Sequence, residues 1–327
     1  MLKTLDLAAL RQLLCTIAAE FELRVPVQPA PGMRLLAPWP VAEIALFGPP
    51  LQPKPTAAFF PQTQTLLTLG ADASVELPSP PVRPLALFGL ARADLQGIAF
   101  LDRFFSAPPA DDVYQRLRRD ALLIGLSGNC GTERKFLPLA GGHCDFELIA
   151  QGTGWWGRAH TPRGAHWLRE LPAAEGADLT WLNEKSAQLI DEPQQLLARA
   201  AKLLVQERVP EEFWREIAAR CILCCGCNQV CPTCNCFCVE DQLRGTNVER
   251  RRVWDSCQLD AFMREASGHN PLGTEALRTR RRIFHKLVAD PQRWGEYGCV
   301  ACGRCDAACP TGIGIFALCE QLVARYS

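Results

Sequence analysis

The sequence lacks any long apolar segment. Among its 327 residues, no uncharged apolar run approaches the roughly 18 residues that a membrane-spanning helix requires. Asp6 and Arg11 interrupt the N-terminal segment, whose apolar residues are spaced as in an amphipathic helix and not as in a secretory signal. We therefore expect no membrane span and a cytoplasmic location.

An excess of charge of either sign is also missing. Lys and Arg together number 35, and so do Asp and Glu, which gives a formal net charge of zero. General nucleic-acid binders carry a basic excess, so this balance argues against one. The chain also lacks a G-x-S-x-G elbow, a P-loop and any clear pair of catalytic carboxylates. No catalytic residue is predicted.

The composition is that of a globular protein, with 48% apolar and 21% charged residues. A chain of this length is expected to form about two domains. It can bury enough apolar surface to fold without disulfide staples. We place the domain boundary at residue 208, where a helical segment with a break near Pro210 leads into the cysteine-rich part.

The first domain, residues 1–208, reads as α/β or α+β, because short apolar runs alternate with helical patterns. A helix at 94–105 between apolar runs predicts a βαβ unit with a partly parallel sheet. A hairpin is expected over 145–160. The predicted buried strands are 45–47, 66–69, 85–88 and 122–126, and further helices are predicted at 112–119 and 183–220.

One glycine motif admits two interpretations. Residues 152–157 read GTGWWG and formally match the dinucleotide-binding pattern G-x-G-x-x-G. However, Pro162 and Gly164 follow where a helix must open, and two Trp side chains crowd the pyrophosphate position. We interpret the motif as a hairpin turn, and we keep nucleotide or small-substrate binding by this domain as the alternative.

Cysteine is abundant and concentrated near the C-terminus. Of 17 cysteines, 14 lie between Cys221 and Cys319. Disulfides are rare in reducing compartments, and clustered cysteines in an intracellular protein point to metal. The cysteines therefore indicate a metal-binding second domain, residues 209–327, in which the segment between the cysteine runs is predicted to form helices at 259–265 and 274–287.

Two segments of this domain repeat one cysteine pattern. Each reads C-x2-C-x2-C-x3-C-P, the ligand run of bacterial-type [4Fe–4S] clusters. Small residues such as Gly226 and Gly303 would let the backbone approach the cluster closely. The first run consists of Cys221, Cys224, Cys227 and Cys231, and the second run consists of Cys299, Cys302, Cys305 and Cys309.

The fourth cysteine of such a run often ligates the other cluster, so we predict a crossed pairing of two [4Fe–4S] clusters. The first cluster then takes Cys221, Cys224, Cys227 and Cys309. The second cluster takes Cys299, Cys302, Cys305 and Cys231. Two structural zinc sites are the alternative. Zinc sites normally use four ligands arranged as two C-x2-C pairs, whereas each run here has four cysteines and ends in Cys-Pro, which is more specific for iron–sulfur clusters.

Further residues near the runs also have two interpretations. The additional cysteines could ligate a third cluster, but we favour buried thiols that accept hydrogen bonds beside a cluster. The triplets Arg250–Arg252 and Arg280–Arg282 could steer an acidic partner, offset the clusters' negative charge, or form a solvated helical face. The additional cysteines are Cys225, Cys234, Cys236, Cys238 and Cys257, and Cys319 is expected in a helical core.

Several of these segments together resemble one protein family. WDSCQLD (254–260), SGHNP (267–271), RTRRRIFHKL (278–287), GCVACGRCDAACP (298–310) and CPTCNCFCVED (231–241) are similar to the β subunit of cytosolic NiFe hydrogenases, or sulfhydrogenases, and to the corresponding iron–sulfur subunit of anaerobic sulfite reductase. The N-terminal half resembles the family more weakly, at residues 87–105 and 111–130.

The resemblance implies an iron–sulfur electron-transfer subunit with an α-helical ferredoxin-like domain that holds two [4Fe–4S] clusters. It further implies a relay that connects a hydrogenase or a sulfite- or sulfur-reducing partner with a flavin- and NAD(P)-binding reductase subunit. The first domain would then dock partners, and the chain would perform no bond-making chemistry by itself. The family also has cysteines where this chain has Ala93 and residues 135–137, which speaks against an additional N-terminal cluster.

Overall fold

Strands and helices alternate through the first half of the chain in the computed structural model, which describes residues 2–79, 81–130 and 135–327, without the side chains of Cys130 and Lys135. In chain order, the strands are β1 (Lys3–Leu5), β2 (Glu22–Ala30), β3 (Met33–Pro38), β4 (Thr63–Leu69), β5 (Val75–Glu76), β6 (Leu85–Leu90), β7 (Leu122–Cys130), β8 (Lys135–Leu137), β9 (Phe146–Gln151), β10 (Gly154–Ala159), β11 (Phe237–Arg244) and β12 (Asn247–Trp254).

The α-helices are α1 (Leu7–Glu20), α2 (Arg92–Ser106), α3 (Asp112–Arg118), α4 (Pro162–Leu168), α5 (Thr180–Val205), α6 (Glu211–Ala219), α7 (Gly226–Gln229), α8 (Glu275–Phe284), α9 (Asp290–Trp294), α10 (Arg304–Ala308) and α11 (Ile315–Tyr326). Short 3-10 helices occupy Pro55–Ala58 and Asp260–Met263, and a π-helical turn occupies His285–Ala289. None of the helices in the described ranges is both long and apolar enough to cross a lipid bilayer.

The chain divides into two compact units. The first unit comprises Met1–Phe59 and Ser79–Ile190, and the second comprises Phe60–Pro78 and Asp191–Ser327. The second unit thus includes β4 and β5, which precede residue 208, because β4 pairs with β12. The division of function at residue 208 remains a prediction.

The first unit is built on a mixed sheet of order β1-β10-β9-β7-β6-β2-β3, with β8 paired to β7. Its centre is parallel, since β7 pairs in parallel with both β6 and β9. The chain passes from β6 through α2 and α3 to β7, as the predicted βαβ unit requires. Buried aliphatic and aromatic side chains from the sheet and α1 form the core, among them Leu14, Ile17, Phe88, Ile124, Phe146 and Leu148.

The glycine motif is a hairpin turn. Strands β9 and β10 pair antiparallel, Gly154 lies opposite Gln151, and Gly152 takes a left-handed backbone with φ of 57°. A strand follows the motif directly where a dinucleotide fingerprint would open a helix. The alternative of nucleotide binding at this motif therefore finds no support in the fold.

A buried carboxylate joins the strands of this unit. The Glu147 side chain is fully buried, and it accepts hydrogen bonds from Ser127 Oγ at 3.1 Å and from the Ala140 N–H at 2.7 Å. It also pairs with Arg158 and lies 3.3 Å from His160 Nε2. Burial opposes its ionisation, but these partners together hold the pKa of Glu147 below its ordinary value. The carboxylate is thus satisfied as a structural anion.

The second unit corrects the expectation of an α-helical domain. Its helices, α6 to α11 and the end of α5, accompany an antiparallel sheet of order β11-β12-β4-β5. The helical core is formed by Phe213, Trp214, Ile217, Leu318 and Leu322, and Cys319 lies within it as expected.

The hairpin of β11 and β12 changes the interpretation of one arginine triplet. Arg250 pairs with Asp241 at 2.7 Å and Arg251 pairs with Glu240 at 2.5 Å, across the two strands. Arg252 is buried, with its guanidinium 4.9 Å from the ring centroid of Phe60. The predicted helical face over Arg250–Arg252 is therefore wrong. These residues lie in a strand, where ion pairs across the two strands and side chains that alternate between the two faces stabilise a hairpin.

Two smaller expectations also fail. Residues 45–47 form no strand, since their carbonyls are turned toward the Arg34 guanidinium, which donates to Ala45 O at 2.7 Å and Leu46 O at 2.8 Å. The helical pattern at 259–265 forms only the short 3-10 helix Asp260–Met263. The other predicted strands are present, with 66–69 inside β4.

Candidate iron–sulfur site

Both cysteine runs adopt one backbone conformation. Leu223 and Ala301, which precede the second cysteine of each run, have φ of 55° and 54°. Cys225 and Gly303, which follow that cysteine, have φ of 58° and 69°. Side-chain-bearing residues rarely adopt this left-handed conformation, so its repetition at equivalent positions indicates a specific constraint. Left-handed residues within a turn curl successive N–H groups into concave anion-binding nests.

The glycines of the runs have different roles. Gly303 occupies a left-handed position, but in the first run that position is taken by Cys225, and Gly226 follows it at the start of α7. A Cβ on Gly226 would approach nothing closer than Cys224 Sγ at 3.7 Å. Gly303 thus has a left-handed backbone that favours glycine, although Cys225 adopts the same conformation in the first run, and the structure gives no steric need for glycine at Gly226.

The thiols predicted for the first cluster line one cavity. Cys221, Cys224 and Cys227 of the first run share this cavity with Cys309, the fourth cysteine of the second run. The Cys225 thiol and the Arg282 guanidinium also line it. Helices α7 and α10, which carry Cys227 and Cys305, are in contact. Residues about 80 positions apart in sequence are thus brought together as the crossed pairing requires.

The thiols predicted for the second cluster are electrostatic neighbours. Burial is the main cause of a raised pKa at Cys299, Cys302 and Cys305, and the negative charge of Cys231 adds to the rise at each. For Cys299 the pKa is raised to about 12. Cys231 comes from the first run, so the fold again places a fourth cysteine beside three cysteines of the other run. The ligand assignment itself remains a prediction.

A threonine follows each fourth cysteine by two residues. Thr233 Oγ1 lies 3.2 Å from Cys231 Sγ, and Thr311 Oγ1 lies 3.5 Å from Cys309 Sγ. The Ile313 N–H also donates to Cys309 Sγ at 3.3 Å. Hydrogen bonds to sulfur tune iron–sulfur groups. Sequence reasoning noted the proline of each Cys-Pro but missed the Cys-Pro-Thr that both runs share.

Three of the five cysteines outside the runs contact one another, and of the five only Cys257 is buried. The favoured interpretation of buried thiols beside a cluster stays a prediction. Cys236 is in hydrogen-bonding contact with Cys234 and Cys257. Asn228 Nδ2 donates to Cys257 Sγ at 3.3 Å, and Gln258 Nε2 donates at 3.7 Å. The hydrogen bond with Cys236 is the largest cause of a pKa lowered to about 6 at Cys257. These thiols form a sulfur-directed hydrogen-bond network, while Cys238 is exposed.

The first domain contributes no comparable group. Cys15 is exposed and Cys144 is buried, while the side chain of Cys130 falls outside the described residues. Burial raises the pKa of the Cys144 thiol well above its ordinary value. Throughout the described ranges, the cysteine runs included, no three His, Cys, Asp or Glu side chains are placed to hold a single metal ion.

Three observations indicate that the residues of the second unit fit an iron–sulfur group. The donor set consists of thiols, which are the ligands of such groups. The left-handed turns form concave backbone beside them. Buried cations lie near the same thiols, since Arg282 is 6% exposed and lines the cavity with Cys221 and Cys309. An anionic group held by thiolates would satisfy all three features.

Comparison with known proteins agrees with this site. A family model for a 4Fe-4S dicluster domain matches residues 220–313. The chain is 30% identical to the sulfhydrogenase 2 subunit beta of Pyrococcus furiosus over 249 residues, which are 69% of this chain and 70% of that protein. It is 27% identical to the F420-dependent formate dehydrogenase subunit beta of Methanocaldococcus jannaschii over 139 residues, 40% of this chain and 28% of that protein. No solved structure matches.

The matched dicluster region contains both cysteine runs, all their left-handed turns and the cations beside them. The similarity to the Pyrococcus protein extends over more than two thirds of both chains. The resemblance inferred from the sequence motifs is therefore confirmed. The chain belongs to the family of sulfhydrogenase β subunits and carries a 4Fe-4S dicluster domain.

Proposed function

We propose that this chain is an electron-transfer subunit that holds two [4Fe–4S] clusters with crossed ligation. Cys221, Cys224, Cys227 and Cys309 would hold the first cluster, and Cys299, Cys302, Cys305 and Cys231 the second. Bound [4Fe–4S] clusters supply one-electron transfer at potentials that charge, hydrogen bonds and solvent exposure adjust. The protein's own residues hold the clusters, exclude water and supply fixed charges.

One observation carries this proposal. The cavity lined by three thiols of the first run and by Cys309 of the second joins the two runs at one place. Crossed ligation keeps two clusters close together, and short separations favour electron transfer. A zinc interpretation would need neither the crossing nor the buried cations, so the cavity favours the iron–sulfur function.

The partners follow from the same family relationship. We propose that the chain relays electrons in the cytoplasm, connecting a hydrogenase or a sulfite- or sulfur-reducing partner with a flavin- and NAD(P)-binding reductase subunit. Relatives named as β subunits of a sulfhydrogenase and of a formate dehydrogenase support a place within a multi-subunit oxidoreductase. Residues 209–327 would carry the clusters, and residues 1–208 would dock partners.

Anaerobic co-purification tests the proposal. The chain should be brown, contain iron and acid-labile sulfide in equal amounts, and bring down a flavoprotein and a catalytic subunit. The isolated chain should not turn over NAD(P)H with any acceptor, and adding the flavoprotein should restore reduction of its clusters. Turnover by the isolated chain would favour the reductase alternative, and colourless protein without sulfide after reconstitution would refute the cluster assignment.

A further inference from the structure

Three cations lie on one face of a single helical segment in the second unit. Arg278 and Arg282 belong to α8, and Lys286 lies in the π-helical turn that continues it. Their spacing of four residues places them on the same side of the helix. Arg278 and Arg282 are 2% and 6% exposed, respectively. Charged groups so deeply placed need a compensating partner.

Arg278 has carboxylate partners, whereas the other two cations are bonded to neutral acceptors. Arg278 pairs with Asp260 at 3.2 Å and with Glu275 at 3.0 Å. Arg282 Nη2 donates to Ile313 O at 2.7 Å, while Lys286 Nζ donates to Thr233 Oγ1 at 2.8 Å and to Gly298 O at 3.0 Å. No ion pair joins Arg282 or Lys286 to a carboxylate among the described residues.

The negative groups that act on these two cations are mainly cysteine sulfurs. Burial would lower the pKa of Arg282, but the charges of Cys227, Cys305, Cys257 and Cys309 outweigh it and leave that pKa raised. The pKa of Lys286 is likewise raised against the effect of burial, by Cys231, Cys234 and Cys299 and, least of the four, by Asp290. Arg282 lines the cavity of Cys221, Cys224, Cys227 and Cys309, although Cys305 of the second set also acts on it. Lys286 Nζ donates to Thr233 Oγ1, which lies 3.2 Å from Cys231 Sγ of the second set.

We propose that Arg282 and Lys286 are built-in counter-charges that raise the reduction potentials of the first and second clusters, respectively. The inference deepens the proposed function and depends on it. Taking up one electron without a proton makes each cluster site one unit more negative. A fixed buried cation stabilises that added charge more than it stabilises the oxidised form. Each cation should therefore act on the potential of its own cluster.

Charge-removing substitutions in the full anaerobic complex test this role. Arg282→Gln and Lys286→Gln keep a side-chain N–H donor for Ile313 O and Thr233 Oγ1 but remove the positive charge. A redox titration followed by electron paramagnetic resonance measures both potentials, and Cys224→Ser, which should lack the first cluster, assigns the signals. Arg280→Met is the matched control, because Arg280 is an exposed cation on the same helix.

We expect Arg282→Gln to lower the reduced-to-oxidised ratio of the first cluster about tenfold at fixed ambient potential, which is about 59 mV for one electron. The second cluster should shift less, since only Cys305 of that set lies in the field of Arg282. Lys286→Gln should lower the second potential and leave the first nearly unchanged. Arg282→Lys and Lys286→Arg should restore most of each shift, and Arg280→Met should change neither potential.

Unchanged potentials in glutamine variants that keep full iron would overturn the inference, as would equal shifts in Arg280→Met. If Arg282→Gln does not retain its cluster, the potentials of Arg282→Met and Lys286→Gln are measured in the same way. An unshifted cluster potential in these variants counts against the counter-charge role of the replaced cation. Wild-type protein without iron or sulfide would instead refute the proposed function, so the two failures are distinguishable.

Discussion

Replacing Cys309 by alanine tests the crossing of the two cysteine runs. If the cavity thiols act together, Cys309→Ala removes a ligand from the cluster of Cys221, Cys224 and Cys227. It should then abolish the same paramagnetic signal as Cys224→Ala and preserve the signal that Cys302→Ala abolishes. Uncrossed ligation predicts the opposite grouping, because Cys309 and Cys302 would share a cluster.

The expected magnitude follows from the surroundings of Cys309. Losing one of two clusters should halve the bound iron and the acid-labile sulfide. Replacing Cys309 also removes the sulfur acceptor of the Ile313 N–H, which donates to Cys309 Sγ at 3.3 Å. Leaving a buried donor without its acceptor costs about 1–3 kcal/mol, so the free energy of unfolding of the second unit should fall by roughly that amount in addition to the effect of losing the cluster.

The assay combines metal analysis, electron paramagnetic resonance after dithionite reduction, and anaerobic thermal unfolding. Cys238→Ala is the matched control, since Cys238 is an exposed cysteine in the same unit and outside both runs. It should keep full iron, both signals and wild-type stability. Full iron in Cys309→Ala, or loss of the signal shared with Cys302, would refute the crossed assignment.

Three further predictions concern side-chain packing in the second unit and a buried charge in the first. Gly298→Ala should destabilise the second unit by about 1–3 kcal/mol in anaerobic urea unfolding, because its Cβ would lie 1.8 Å from Asp290 Oδ2, whereas Gly226→Ala should have little effect. Trp214→Ala should cost about 3–5 kcal/mol in the same assay, since Trp214 is 2% exposed in the helical core. Glu147→Gln should lower the free energy of unfolding of the first unit by about 3 kcal/mol at neutral pH, because it breaks the buried ion pair with Arg158. The pKa of Glu147 is lower in the folded state than in the unfolded state, where it is about 4.3. The contribution of ionised Glu147 to folding stability is therefore fully present above about pH 4.3 and is lost as the pH falls through the pKa of the folded state. Urea unfolding in acid should therefore show the difference between Glu147→Gln and wild type narrowing, and a constant difference would contradict this reasoning.

Local sequence signals predicted the first unit well. Apolar runs at 85–88 and 122–126 with a helical pattern between them predicted β6, α2 and β7. This was possible because hydrophobic periodicity and the glycines and prolines that end a segment are signals contained within about 15 residues. The turn at Gly152 was likewise foreseen, since its flanking segments alternate as a hairpin must. The order of the sheet could not be predicted, because β2 pairs with β6 over a separation that no local pattern encodes.

The second unit was predicted less well. Residues 237–254 show no regular alternation, since Glu249–Arg252 are four charged residues in succession, and the arginine triplet and the cysteine runs favoured a helical interpretation. The hairpin is stabilised by contacts across strands, such as Arg250 with Asp241, and by β4, a strand that lies more than 170 residues earlier in the chain. The helical or strand periodicity of a local segment does not indicate which distant residues it will contact.

The sequence alone determined the chemistry of the site, because the spacing of three cysteines within seven residues is a local property that sets which thiols can converge on one group. It also determined that there are two such runs. It predicted the crossed pairing as well, which stays a prediction, whereas only the tertiary structure shows that Cys309 lies beside the first run and which cations face the cysteines. Cys309 lines the same cavity as Cys221, and cysteines are the main negative groups near Arg282 and Lys286, because distant segments of the chain pack together. That packing depends on the whole core of the unit, which no local pattern describes.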